Sequence, residues 1–308
     1  RQVLVEPPMA MSTVMAFLKA LAVMMSTDGC FTLGCAVCAS VTLAGHPVLG
    51  LLAAMAAGVC SGFVTAFLQT RLGIQSILAG IIVNTGLYTI NIAVMGFASN
   101  LNLFACDSVF TWAKDAIGGT WYKLIVAAVI VALVGVLISL FLNTRLGLSI
   151  RATGDNPDMV RASSINTGMM ITIGLCVANA LTGLSGGLLA QYQKSCDINL
   201  GTGMVTIALA SLIIGETIIG KGSMLKRVIG VILGSCLYRF IVAVALRLNV
   251  PAECLKLVSS IIVAVAIAFP YLKKQAGFYR QKRAAKAENE QYSAELLREE
   301  RKGKGGNA

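Results

Sequence analysis

The sequence predicts an all-α membrane protein, a polytopic bundle of about 8–9 transmembrane helices with a short cytoplasmic helix in one connection. Three observations predict it. Of 308 residues, 56% are hydrophobic and 13% charged, with a mean hydropathy of +0.79. A soluble domain carries about 25% charged residues, so this chain cannot keep its apolar mass inside and cover it with charge. Second, apolar runs of spanning length, roughly 17–25 residues, recur along the chain. Third, Lys and Arg concentrate in alternate connections between those runs. The 31 glycines against 6 prolines also suit membrane helices that pack through small residues.

Taken in order, the first runs, 9–25 and 30–45, are short. Lys19 lies inside the first, where it either snorkels or holds the segment in the interface. No cleavable signal peptide is evident ahead of it. Stronger spans cover 47–68, 76–95, 121–142, 170–191, 203–220, 227–247 and 254–271. Residues 1–272 are expected to form one transmembrane domain. Residues 273–308 form a charged tail, helical in its centre and disordered from Lys302 onward.

Charge sets the orientation. Arg71, then Arg145, Arg151 and Arg161, then Lys221, Lys226 and Arg227, and finally the tail from Lys273 to Lys286 all fall on one side. Retention of basic residues on the cytoplasmic side places that side, and the C-terminus, in the cytoplasm. The net charge of +11 is therefore read as a membrane signal, and no nucleic-acid partner is expected, because 6% aromatics offer no stacking platform. The expected lipid contact is through the basic half of the tail, which either touches anionic lipid or serves as a plain anchor.

The octapeptide FLQTRLGI, Phe67–Ile74, returns as FLNTRLGL, Phe141–Leu148. Both copies close an apolar run. They are either two helix ends with the usual Arg anchor and Gly stop or the trace of a parallel structural repeat.

Candidate chemistry is sparse. Cys30, Cys35 and Cys38 match the C-x4-C-x2-C spacing of an iron–sulfur site, but no matching fourth Cys follows and the stretch reads as helix. Buried thiols of that kind behave as small hydrophobes. His46, the single histidine, precedes Pro47 in a turn, so no catalytic or metal site is expected around it.

GETIIGKGS, Gly215–Ser223, approaches the phosphate-loop pattern. Gly222 stands where a hydroxyl must follow Lys221, and Ser223 comes one place late. The preceding VTIALASLII passes for a strand, yet 203–220 is long enough to span. None of the fourteen acids closes a short apolar strand suited to present Mg²⁺. The stretch is read as the cytoplasmic exit of a span, with Glu216 near the exit and Lys221 as anchor.

Polar residues inside spans are costly and so invite a role. Asn84, Thr85, Tyr88 and Asn91 share one span, with Asn84 and Asn91 on one face and Tyr88 close to it; Asn179 and Thr182 lie in another. They either line a translocation path or hydrogen-bond helix to helix. Arg239 sits inside a span, where a central charge costs about 2.5–3.5 kcal/mol. At about 1.5 Å per residue, Glu216 lies near the inner face and Arg239 well above it. A direct pair needs a broken helix, so Arg239 is expected to face a hydrated cavity or a subunit interface.

The longest polar connection between strong spans is NTRLGLSIRATGDNPDMVRASSINTG, Asn143–Gly168. Asp155 or Asn156 can N-cap a short helix with Pro157 in its first turn. That helix carries Met159, Val160, Ala162 and Ile165 beside Arg161 and Ser163, with Arg151 and Gly154 just ahead. It either lies on the lipid surface or fits a groove on a soluble partner, and the residues by themselves do not choose.

IRATGDNPDMVRASSINTG resembles the cytoplasmic connection in permease subunits of ABC importers of the branched-chain amino-acid and ribose group. TDGCFTLGCAV, ILAGIIVNTGLYTINIAVMG and ALASLIIGETIIG resemble a branch of that group that works with periplasmic-type binding proteins, some for aromatic amino acids. The resemblance covers roughly residues 28–270. Ahead of Asp28 the match fails, where the family has a fuller first helix and a longer link, and the charged tail is longer than the family's.

The resemblance implies a bacterial cytoplasmic-membrane permease, paired with a second copy or a close paralogue. Two separate ABC ATPase subunits would hold ATP and Mg, with no cofactor on this chain, and an extracytoplasmic binding protein would deliver a small organic solute, by this likeness an amino acid. Asp155–Ile165 would be the coupling helix. An ion-coupled secondary transporter is the rival; it needs intramembrane acids, for which Glu216 is the one reasonable candidate. A membrane enzyme would need clustered catalytic side chains, which the sequence lacks.

Overall fold

A computed structural model describes residues 28–104, 106–117, 122–219 and 224–247, with isolated helical positions at 261, 264, 265 and 268. Two compact units divide the chain, one ending at Val205 and one beginning at Thr206. The expected run at 9–25 with Lys19, most of the span at 254–271, Lys221 and the tail lie outside the described residues.

The first unit runs α1 (Asp28–Leu43), α2 (Pro47–Thr70), α3 (Ser76–Val94), β1 (Asn100–Asn102), α4 (Val109–Ile117), α5 (Tyr122–Asn143), α6 (Arg145–Asp155), α7 (Pro157–Ala162), α8 (Thr167–Gln193) and β2 (Ser195–Asp197). Among the described residues, α2, α3, α5 and α8 are long and apolar enough to cross a membrane. They match four of the expected spans within a few residues.

The core of this unit is the packing of α2 on α8, with α1 against both. On α2, Gly50, Ala54, Gly58, Gly62 and Ala66 recur every fourth residue and are all buried. Residues four apart share a helix face, so this row is a strip without bulk. The facing strip on α8 contains Asn179, Gly183, Gly187 and Gln191, also four apart and buried. Backbone meets backbone there: a Cβ on Gly62 would stand 2.6 Å from the Leu175 carbonyl oxygen, and one on Gly58 3.0 Å from the Ala180 Cα. α1 enters the same seam, since a Cβ on Gly34 would lie 2.6 Å from the Gly183 Cα. Lipid tails give helices no hydrophobic reason to associate, so this close contact of small residues supplies the cohesion. α5 differs: its only buried residue is Ser139, and its leucines and valines face outward as a lipid-solvated helix would.

The connection between α3 and α5 contains β1 and α4. β1 pairs antiparallel with β2, Leu101 opposite Cys196. This adds a two-stranded ribbon to the expected all-α class. Leu103, Cys196 and Ile198 pack there with Phe31, Cys35 and Ala39 of α1.

The two octapeptide copies fold differently. In the first, Thr70 is the last residue of α2 and its hydroxyl donates to Ala66 O at 2.8 Å; Gly73 then takes a positive φ of 65° and α3 begins at Ser76. In the second, Thr144 has left the helix and caps α6, its Oγ1 accepting from Gly147 N at 3.2 Å. Gly147 lies flush on the end of α5, where a Cβ would be 2.5 Å from the Leu142 Cα. The same Thr-Arg-Leu-Gly thus ends one helix and starts another, so the echo is not a local structural repeat.

In the second unit, α9 (Met204–Ile219), whose first two residues belong to the first unit, crosses α10 (Met224–Arg247) at glycines. A Cβ on Gly234 would lie 2.7 Å from Gly215 N. Tyr238 is buried with Ala210 beside Ile207, Ile214 and Val242. VTIALASLII is helical throughout, so no strand precedes the glycine–lysine stretch, and Gly215–Ile219 form the last turns of α9.

Candidate functional site

The polar connection between α5 and α8 folds as two helices, which corrects the single helix expected at 155–165. α6 runs through Arg151 and Gly154 and ends at Asp155. Pro157 has no N–H and disfavours helical backbone in the residue before it, so α6 stops there. Asn156 accordingly turns extended, at φ −151°, and is the cap: its Oδ1 accepts from Asp158 N and Met159 N, both at 3.1 Å. α7 follows as Pro157–Ala162, with Asp158 in its first turn and Arg161 in its last, the order the helix dipole favours. Ser163 is its C-cap, Ser164 has φ 60°, and Ile165 N returns to Val160 O at 3.3 Å.

α7 is anchored on one side and open on the other. Val160 is 2% exposed and Met159 60% exposed. Arg161 Nε donates to Thr167 Oγ1 at 3.2 Å, tying the end of α7 to the first turn of α8. Its longer contact with Asp158, 3.8 Å, is solvent-exposed and adds little. Behind α7 lies a cleft of about 480 Å³, bounded by Arg161 and Thr167 on one wall and by Gln69, Gln75 and Ser76 at the α2–α3 turn on the other. α6 reaches α8 as well, where a Cβ on Gly174 would meet Ile150 Cγ2 at 3.2 Å.

The polar residues inside the spans divide into two groups. Asn91 Nδ2 donates to Gly29 O at 3.3 Å, and Asn84 Oδ1 lies 2.5 Å from where a Gly29 Cβ would stand. Asn179 is fully buried, its Nδ2 donating to Leu175 O at 3.0 Å and its main-chain oxygen accepting from Cys30 Sγ at 3.4 Å. Asn84 and Asn91 thus reach Gly29 at the start of α1 through their side chains, and Asn179 meets Cys30 through its main chain. Among the described residues, the buried side-chain oxygens of Asn91 and Asn179 have no hydrogen-bond partner. Tyr88 and Thr85 are exposed, and Thr85 bonds Ile81 O of its own helix. Tyr88 thus does not join the Asn84–Asn91 face. Thr182 likewise bonds back to Ala178 O at 3.0 Å.

In the second unit, Glu216 is exposed in the last turn of α9, and Arg239 is exposed on α10 beside buried Tyr238. Among the described residues no ion pair joins the two.

Gln191 and Asp28 escaped the sequence reading. Gln191, 1% exposed, sends Nε2 to Pro47 O at 2.8 Å, Cys38 Sγ at 3.3 Å and Thr42 Oγ1 at 3.4 Å, while its Oε1 accepts from Val109 N at 3.3 Å. One amide joins α1, α2, α4 and α8. Its place four residues after Gly187, on a small-residue strip, is the signal that marks it. Asp28 Oδ2 accepts from Gly203 N at 3.3 Å, just ahead of α9. Cys35 Sγ donates to Gly186 O at 3.0 Å, so the cysteine series serves the α1–α8 seam.

The family described as "Branched-chain amino acid transport system / permease component" matches residues 8–267. That match begins well ahead of Asp28, which corrects the expectation that the likeness fails there. A tyrosine transport system permease protein of Clostridioides difficile is 35% identical over 245 residues, 79% of this chain and 80% of that one. A fructose import permease of Bifidobacterium longum is 24% identical, covering 78% of this chain and 67% of its own length. The ribose import permease of Escherichia coli K12 is 24% identical, covering 72% and 68%. No solved structure matches the chain.

Proposed function

Since this chain belongs to the family of branched-chain amino-acid transport system permease components, we propose that it passes an amino acid across the bacterial cytoplasmic membrane, driven by ATP that separate subunits hydrolyse. At the coarser level it is a membrane-embedded permease of an ABC importer for small solutes. The amino-acid assignment draws on the tyrosine transport relative. In this reading an extracytoplasmic binding protein delivers the solute, two ATPase subunits hold ATP and Mg, and a second copy or paralogue completes the membrane part. The C-terminus and Lys221 lie on the cytoplasmic side.

The observation that carries the reading is α7, a capped helix with Met159 outward, Val160 inward and Arg161 tied to Thr167 of α8. An ATPase groove that holds α7 would grip Met159, Ala162 and Ser163, with Arg151 and Asp155 of α6 alongside. Closure of the ATPase pair on ATP displaces α7, and the Arg161–Thr167 contact and the α6–α8 packing carry that displacement to α8. α8 is locked to α2 by glycine contacts, so the two move as one body against α3. Small shifts at such a packed seam resolve into discrete states, as alternating access requires. The path opens where α3 parts from α1, and there the Asn91 side-chain oxygen, buried without a partner among the described residues, becomes an acceptor for a solute ammonium.

The test is purification in mild detergent with co-expressed neighbouring gene products. A co-eluting ATPase that is lost on combining Arg151→Glu with Ala162→Asp is the expected result. A chain that elutes alone and transports solute into liposomes without ATP would overturn the reading in favour of an ion-coupled transporter.

A further inference from the structure

On the other side of the Thr70–Gly168 contact from the α7 cleft, a groove of about 850 Å³ opens between the outward faces of α2 and α8. Phe63 and Phe67, one turn apart, form one wall, and Met169 and Thr172 form the other. Both phenylalanines and the methionine are exposed. The floor is shallow in side chains because Gly168 stands there; a Cβ on it would be 3.7 Å from the Thr70 Cβ. The hydroxyls in the groove are used locally, Thr70 donating to Ala66 O at 2.8 Å and Thr172 to Gly168 O at 2.9 Å. The groove is therefore apolar along its length. At its end stand Arg71, exposed, and Asn166. No carboxylate of the described residues forms an ion pair with Arg71.

We propose that this groove binds one anionic phospholipid, an acyl chain lying along Phe63, Phe67 and Met169 and its phosphate held by Arg71. The occupant follows from the polarity of the groove: apolar walls that face the bilayer, closed at one end by a guanidinium at the depth where headgroups sit. A planar fork of donors fits phosphate oxygens in pairs, and basic pockets between membrane helices select anionic headgroups. A zwitterionic lipid fits the walls equally well but brings an ammonium toward Arg71, so net negative charge is preferred. The groove borders the α2–α8 seam, and the lipid would brace it on the side away from α7.

The experiment uses the whole transporter in mild detergent, supplied with equal amounts of phosphatidylglycerol and phosphatidylethanolamine and weighed by native mass spectrometry. The wild type is expected to retain phosphatidylglycerol in preference. Arg71→Ala lowers that retention about tenfold, while Arg71→Lys keeps most of it. Thr172→Trp, which fills the groove without altering charge, also releases the lipid and covers the case in which Arg71→Ala fails to assemble. Equal retention of the two lipids by the wild type would overturn the proposal, as would retention unchanged in both Arg71→Ala and Thr172→Trp. So would a photocrosslinker placed at Phe67 that captures a second permease chain rather than lipid.

Discussion

Gly62 of α2 and Leu175 of α8 are in backbone contact: a Cβ on the glycine would stand 2.6 Å from the leucine's carbonyl oxygen, and 2.9 Å from the Cα of Cys176. The side chain that is missing is what lets the two helices meet. Neither helix can retreat without opening the rest of the seam, because Gly58 and Gly183 make the same kind of backbone contact along it.

Replacing Gly62 by Val therefore overpacks the seam, at a cost of about 1–3 kcal/mol. A lower melting midpoint in detergent, with early loss of the monodisperse peak, is the expected reading. Val64→Leu, exposed on the same turn and outside the lipid groove, serves as control and leaves the midpoint near wild type. Equal midpoints for Gly62→Val and wild type would mean the helices are held together by something other than this contact.

Gln191→Leu removes the amide's bonds to Val109 N and Pro47 O and its longer contacts with Cys38 and Thr42, and leaves the Val109 N–H and the Pro47 carbonyl without this partner. An unsatisfied buried polar group costs about 1–3 kcal/mol. Thermal stability should drop by a comparable margin, and hydrogen exchange should rise at Val109 first. Exchange there that does not change would remove Gln191 from its bridging role.

Asn156→Ala deletes the two cap bonds of α7 and costs about 1 kcal/mol locally. Under the coupling assignment, solute uptake in proteoliposomes falls while the partner's ATP hydrolysis continues. Asn156→Asp, which still caps, restores uptake. Full uptake by the alanine variant would argue against α7 as the transmitting element.

Arg239→Leu tests the charge on α10. It should impair transport and leave membrane insertion intact, since removing a charge from an apolar helix favours insertion. Normal uptake by that variant would assign Arg239 no part in the path.

Cys35 and Cys196 are fully buried in the packing of α1 against the β ribbon. An apolar maleimide should reach neither thiol in the folded protein and both after denaturation. Labelling of either in the native state at the denatured rate would show that this part of the core opens.

Much of the architecture was legible because its cause is local. A span is a run of apolar residues, so α2, α3, α5 and α8 fall close to their expected places. The helix around Met159 was expected for a sound reason, Asn or Asp followed by Pro, but its extent was not. Whether α6 continues into α7 depends on the backbone at Asn156, and both segments have helix-compatible residues. The ribbon of β1 with β2 was invisible, since Asn100–Asn102 and Ser195–Asp197 are short and far apart in the chain. Gln191 was passed over because an amide at the end of an apolar run looks like a helix end until its partners on three other helices are in place.

By itself the sequence pointed to lipid as the solvent and located the spans that became α2, α3, α5 and α8, because composition and hydropathy act residue by residue. It also carried the likeness to the permease family. Only the tertiary structure decided what Thr-Arg-Leu-Gly does, a helix end at Thr70 and a cap at Thr144, because that choice turns on whether Gly147 can lie flush on the end of α5. It likewise decided which polar residues of α3 face α1: Asn84 and Asn91 meet Gly29, whereas Tyr88 turns away. Side-chain spacing places residues on a helix face, but which face is buried depends on the neighbouring helices, and those come from distant parts of the chain.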